Sequence, residues 1–297
     1  MALNPSASPA APTADGPPVF LLLLDGYPRI DALADLGIDN QPFIEELEKR
    51  GFDHYPDAYS LHTFTHLTLT AMLTGRVGEN RYGSVEQRRA EQAAWSLPPG
   101  FVAVTPPGAH VTIPNARDIG PRGIAGFDIE VVGQSLLGHV PGIDELLMDA
   151  LRNRLRDSLQ IVAETDESRL FAHMPVPHPL FLYGPDGLPF PPPSCWPSCS
   201  VPWLVAGGTI PREEWLPGLT GTLRYLNVRL VRIVDSIIAK RPDAVIVLFS
   251  DHGGRFSYND PGEWHQTLLV ARTPQRPMLF KNTPRPDMVI QLVIDPA

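Results

Sequence analysis

Two short apolar runs, each ending in an acid, constrain this chain more than any other feature. Val19-Phe20-Leu21-Leu22-Leu23-Leu24 stops at Asp25, and Ala244 to Phe249 stops at Ser250-Asp251-His252-Gly253. Runs this short and this uniformly apolar read as strands buried on both faces, the pattern of a parallel sheet under two helical layers. Open sheets of that kind place their ligands outside the carboxyl ends of the strands. Between the two runs lies a Thr-rich stretch, T-F-T-H-L-T-L-T-A-M-L-T-G-R, from Thr63 to Arg76. Two strand-end acids and a hydroxyl at a helix start suggest a metal and a nucleophile.

The remaining pattern alternates strand and helix. A helix is expected over 40–50, with Asn40 able to cap it, Pro42 early in it and Gly51 behind it. An extended segment follows from Phe52 to Ser60, then a helix over 65–73 and a polar helix over 84–95. Strands are expected at 101–105, 127–132, 170–174, 244–249 and 267–271. Leu147, Leu151, Leu155 and Leu159 recur every four residues and mark a long amphipathic helix over 143–164. A second runs over 218–240, and 184–217, dense in Pro and Gly, reads as loop. The fold class is α/β, a mostly parallel central sheet with helices on both faces. Residues 1–18, rich in Ala and Pro, read as a flexible linker, and 19–297 as one domain.

Composition excludes several roles. A hydrophobic content of 43% supports a core that needs no staples, and a net charge of −9 argues against a nucleic-acid partner. No apolar run reaches the roughly 20 residues that span a bilayer. Attachment to a membrane is therefore expected only through a segment upstream of this sequence. The two cysteines, Cys195 and Cys199, sit in a Pro-rich loop. They read as a small-loop disulfide, favoured because such a loop gains from a staple and pointing to an extracytoplasmic setting, as two unpaired thiols, or as half of a metal site with no second half.

The polar clusters each admit two readings. Asp25 is either a turn former or a metal ligand at a strand end, and Gly26 lets the chain turn there. Asp251 and His252 are either a hydrogen-bonded pair or ligands of a divalent ion. Thr63 or Thr65 caps a helix, or a threonine hydroxyl attacks substrate once a metal lowers its pKa. Thr63, Thr65 and Thr68 lie too close together for these considerations to choose among them.

The motifs together resemble the alkaline phosphatase superfamily, in its sulfatase-like branch. L-L-D-G-Y-P-R, Leu23 to Arg29, resembles the metal-binding strand end of that superfamily. R-G-F-D-H-Y-P-D-A-Y-S, Arg50 to Ser60, looks like the strand before the nucleophile. Thr65 to Arg76 lies on the sulfatase pattern C-x-P-S-R-x-x-L-x-T-G-R, which places Thr65 at the nucleophile. Ser250-Asp251-His252-Gly253 matches the late metal-binding motif. Sulfatases convert Cys or Ser at that position to an aldehyde, which threonine cannot form, and Leu67 and Leu69 replace the family's Pro and Arg. The resemblance is therefore to the phosphodiesterases, phosphoethanolamine transferases and glycerol-phosphate polymerases, which pass through a phospho-threonine, rather than to a true sulfuric ester hydrolase.

That resemblance implies a metal-dependent hydrolase or transferase of phosphoryl esters. One divalent ion (Mn, Mg, Zn or Ca) is expected on Asp25, Thr65, Asp251 and His252. His178, preferred to His173 because it lies beyond the strand, is expected to face the substrate or a second metal, and His265 is a further candidate. The implied substrate is a phosphoester linked to lipid or cell envelope. The alternatives are a non-catalytic binding or scaffold domain with the same fold and, less favoured, a haloacid-dehalogenase-type phosphatase, whose D-x-D motif is missing at Asp25-Gly26-Tyr27. After Thr273-Pro274 the chain leaves little room for the family's final helix, so a shortened C-terminal part is expected.

Overall fold

The computed structural model describes residues 16–77, 83–105, 111–121, 140–196 and 199–294. Their strands form one seven-stranded sheet in the order β2-β7-β6-β1-β5-β3-β4. These are β1 (Val19–Leu24), β2 (Asp53–His54), β3 (Val102–Val104), β4 (Arg117–Asp118), β5 (Arg169–Met174), β6 (Val245–Phe249) and β7 (Leu269–Arg272). β1 lies between β5 and β6 and runs parallel to both, and β3 is parallel to β5 and β4. Only β7 reverses, pairing antiparallel with β6 and β2. β2 and β4, two residues each, stand at the edges.

Strand alternation divides the core into two layers. Phe20, Leu22 and Leu24 face a cluster that includes Phe43, Ile44 and Leu47 of α2 (Gln41–Glu48). The same layer holds Leu155 and Leu159 of α5 (Ile143–Glu164), Val201 and Val205 of α6 (Val201–Ala206), and Leu223, Leu226 and Leu230 of α7 (Arg212–Lys240). Val19, Leu21 and Leu23 face Leu69, Met72 and Leu73 of α3 (Thr65–Thr74) and Val289, Ile290 and Val293 of α8 (Val289–Ile294). The unbroken apolar runs of β1 and β6 follow from this, since every side chain of both strands is buried. Two more helices, α1 (Ile30–Asp35) and α4 (Val85–Ala93), complete the helical set among the described residues, and Ser84 closes a capping box on α4.

Four sequence expectations change. Asn40 makes no cap bond to α2; its amide donates to the Tyr27 hydroxyl at 2.9 Å, so a buried tertiary partner outcompetes the cap. Regular strand between Phe52 and Ser60 is confined to Asp53–His54. The loop expected over 184–217 contains α6 and the start of α7. Pro217 lies inside α7 near its N-terminus, where burial of Trp215 and Leu219 outweighs the proline's missing N–H. A final helix is present: α8, six residues long, follows the 3₁₀ turn Pro286–Met288 and packs on α3. The strand expected at 127–132 and most of the 1–18 linker lie outside the described residues.

Candidate active site

Parallel register brings three chain ends to one edge of the sheet. Leu24 is opposite Met174, and Leu23 is opposite Phe249, so Asp25, the loop after Met174 and Ser250-Asp251-His252 emerge side by side. Asp25 N donates to Met174 O at 2.9 Å, and His178 N donates to Asp25 O at 3.0 Å. Tyr27 N donates to Ser250 Oγ at 2.8 Å, and Ser250 Oγ donates to His252 O at 2.7 Å. Gly26 N donates to Asp251 Oδ1 at 3.1 Å. Gly26 itself has φ +67°, and a Cβ there would lie 3.2 Å from His252 Cε1. Both the turn and the close approach of the ring require glycine.

The result is a compact group of ligand-type atoms. Asp25, His178 and His252 each offer one atom within 4.8 Å of the others. His178 Nδ1 lies 2.8 Å from Pro179 O, and His252 Nδ1 lies 2.7 Å from Gly253 O. A carbonyl only accepts, so Nδ1 carries the proton in both rings; His252 Nε2 keeps a lone pair for a metal, while His178 Nε2 accepts from the Arg255 guanidinium. His252 Nε2 is 3.2 Å from Asp25 Oδ1 and 3.5 Å from Asp251 Oδ2. These three atoms are buried and have no hydrogen-bond donor. Three acceptors that converge without a donor call for a cation among them, and their N/O chemistry fits a divalent ion.

Electrostatics agree with that requirement. Burial opposes ionisation of Asp25, but His178 beside it, the hydrogen bond from His173 and the nearby His252 ring hold its carboxyl well below the usual carboxylate range. Burial pushes His178 down to about 4, against the pull of Asp25, and Arg255 and His252 act in the same downward sense. At neutral pH the site therefore presents a carboxylate and a neutral imidazole, the protonation states a metal requires.

The three threonines are separated by their surroundings. Thr68 Oγ1 donates to Asp251 O at 2.9 Å and lies 3.3 Å from Ser60 Oγ, so its hydroxyl ties the first turn of α3 to the acid loop. Thr63 is buried at 5% exposure. Thr65 is partly exposed at the first position of α3, where the free N–H groups of a helix start favour an anion. His265 stands in the 3₁₀ turn Glu263–His265, and its Nδ1 meets Ser60 O at 2.7 Å on the segment leading to α3. Cys195 and Cys199 are joined in a disulfide.

Two residues of this site were not legible as such in the sequence. His173 is fully buried on β5 with Nε2 3.3 Å from Asp25 Oδ2. Its signal is the parallel register that sets it beside Leu23, which only the paired strands provide. Arg255, at φ 55°, lays its guanidinium 5.4 Å over the Phe64 ring and contacts His178 Nε2. It thereby links the residue before Thr65 to the Asp25 group.

This architecture is an alkaline phosphatase-like α/β fold. Among solved structures, the chain is similar to the C-terminal periplasmic domain of EptC from Escherichia coli in complex with Zn, with 13% identity and a TM-score of 0.50 over 98% of this chain and 85% of that one. It is also similar to the soluble domain of lipooligosaccharide phosphoethanolamine transferase A from Neisseria meningitidis, at 13% identity and TM-score 0.46 over 89% and 78% of the two chains. A Bacteroides thetaiotaomicron protein from a glycosaminoglycan-metabolism locus matches at 14% identity and TM-score 0.49, over 92% and 71%. No protein-family model and no curated protein sequence matches the chain.

Proposed function

We propose that the chain is a metal-dependent transferase or hydrolase of phosphoryl esters with Thr65 as its nucleophile. The observation that carries this reading is the convergence of Asp25 Oδ1, Asp251 Oδ2 and His252 Nε2, all buried and without donors. α3 is anchored to the same loop through Thr68. Asp25, Asp251 and His252, with Thr65, would hold one divalent ion; His178 stands beside them. Such an ion supplies Lewis-acid charge that favours the threonine alkoxide and offsets charge on the phosphoryl oxygens.

In the first step Thr65 Oγ forms a bond to phosphorus as the bond to the leaving oxygen breaks, in line. The threonine proton leaves with that departing group or to water. In the second step water or an acceptor hydroxyl bonds to phosphorus as the Thr65 Oγ–phosphorus bond breaks, and the attacking hydroxyl's proton passes to Thr65 Oγ. Arg255, positioned by His178 Nε2, faces the group in transit and stabilises its oxygens. Asp25 is kept ionised by His173. The natural substrate in this reading is a phosphoester linked to lipid or cell envelope, handled outside the cytoplasm. Likeness to a periplasmic domain supports that setting. Among the described residues no helix is long and apolar enough to cross a membrane.

The test is turnover of chromogenic phosphate monoester, phosphate diester and sulfate ester, each with manganese or with chelator. Metal-dependent cleavage of a phosphoester is expected, with a phosphoryl mass trapped on Thr65. Sulfate cleavage, or full metal-dependent turnover by Thr65→Ala, would sink the reading.

A further inference from the structure

Arg255 reaches the candidate site from a strained backbone, and a carboxylate outside that site holds the strain in place. Arg255 has φ 55°, in the left-handed region that residues with a Cβ rarely adopt. Its guanidinium contacts His178 Nε2 and lies over the rings of Phe64 at 5.4 Å and Trp203 at 6.0 Å. Phe64 precedes Thr65, so the guanidinium stands between the start of α3 and the Asp25 group. That delivery depends on the turn over 254–257. With an ordinary φ at Arg255 the side chain would leave the backbone in another direction.

The carboxylate belongs to Glu263. A left-handed residue within a turn aims successive N–H groups at one point, a concavity that takes an anion. Phe256 N donates to Glu263 Oε1 and Oε2, both at 3.1 Å, and the backbone N–H groups of Arg255 and Ser257 bond to the same carboxylate. Glu263 is in turn fixed against the acid loop. Gly253 N donates to Trp264 O at 2.8 Å, and a Cβ at Gly253 would lie 2.0 Å from Glu263 O. The chain from His252 to Glu263 therefore closes on itself, with its two ends joined by backbone contacts and its middle joined to the Glu263 side chain.

Other contacts hold the loop without setting this angle. The Phe256 ring stacks on Trp215 of α7 at 5.0 Å and 18° from parallel, and Trp264 Nε1 donates to Ser257 O at 2.9 Å. These fix a side chain and a carbonyl. The direction of the N–H groups, and with it the left-handed φ of Arg255, is set by the acceptor they meet. An amide cannot take that place. Because both Glu263 oxygens lie 3.1 Å from Phe256 N, a glutamine in the same pose would set its NH2 at that distance, donor against donor.

We propose that Glu263 is the positioning residue for Arg255: its carboxylate holds residues 255–257 in the turn that aims the guanidinium at His178 and at the group bound beside it. The proposal rests on the phosphoryl-transfer reading for what Arg255 does there, but its test does not need turnover. The experiment is a histidine-ring nitrogen NMR spectrum of the full chain without substrate, with His178→Gln to assign the resonance. Arg255→Ala removes the donor from His178 Nε2 and shifts that nitrogen. Glu263→Gln is expected to shift it in the same direction and to roughly the same extent. So is Glu263→Ala, where the N–H groups meet open space instead of an opposed donor. A His178 signal at the wild-type position in either folded variant, or displaced the other way, would overturn the proposal even if no phosphoester is turned over. With a phosphoester that is turned over, Glu263→Gln and Arg255→Ala should each lower kcat by about tenfold or more, and the double variant should lose no more than the worse single one. Additive losses would also overturn it.

Discussion

Thr65 and Thr68 differ by one helical turn and by what surrounds their hydroxyls, and substitution should separate them cleanly. Thr65→Ala is expected to lower phosphoester turnover by roughly a thousandfold or more, as removal of a nucleophile does, with the melting temperature unchanged. Thr68→Val removes a buried hydrogen bond to Asp251 O and should cost about 1–3 kcal/mol of stability, read as a lower urea midpoint, while leaving measurable turnover. Equal turnover losses in the two variants would contradict the assignment of Thr65. Asp25 and the Asp251-His252 pair stood out in the sequence because each ends an apolar run. Among the threonines only the resemblance to the sulfatase pattern singles out Thr65; apolar patterning alone does not, because the hydroxyl that the acid loop engages, that of Thr68, shows only in the fold. His173 is illegible in the sequence for a related reason: a position inside a strand looks structural until the neighbouring strand is known to deliver Asp25 beside it.

At the scale of elements, α5 was readable to the residue because four leucines at constant spacing outweigh any local ambiguity, whereas α6 and the first turns of α7 were hidden among prolines. Those turns exist because tertiary packing buries Val201, Val205, Trp215 and Leu219, and propensity yields to packing of that kind. α7 also explains a glycine: a Cβ at Gly221 would lie 2.1 Å from the Gly184 carbonyl carbon. Gly221→Ala should therefore force α7 away from the 183–184 loop and destabilise the protein by about 1–3 kcal/mol or more, seen as a drop in melting temperature. At the sheet edge, burial pushes His54 of β2 below the usual histidine pKa. Its contribution is fully present above the unfolded-state value near 6.5 and is lost as pH falls, because the unfolded chain takes up the proton first. Replacing His54 by Gln should flatten the loss of stability between about pH 7 and 5, measured by urea unfolding; an unchanged pH profile would refute that role.

For the whole molecule, a metal ion on Asp25, Asp251 and His252 would join the ends of β1 and β6, the centre of the sheet, and so should stabilise the entire domain. At a hundredfold excess over its dissociation constant an ion adds about 2.7 kcal/mol. Thermal unfolding with and without zinc or manganese should show an increase of several degrees in wild type, the same increase or nearly so in Trp203→Ala, and none in Asp25→Asn. The order of layers was legible from the apolar runs and the long helices. The position of β7, which reverses at one side of the sheet, was not, since strand direction leaves no mark in a four-residue segment. The two outermost strands carry a further consequence. Each offers only two residues of ladder, Asp53–His54 on one side and the charged Arg117–Asp118 on the other. Among the described residues, edges that short give a second molecule almost no ladder to add a strand to.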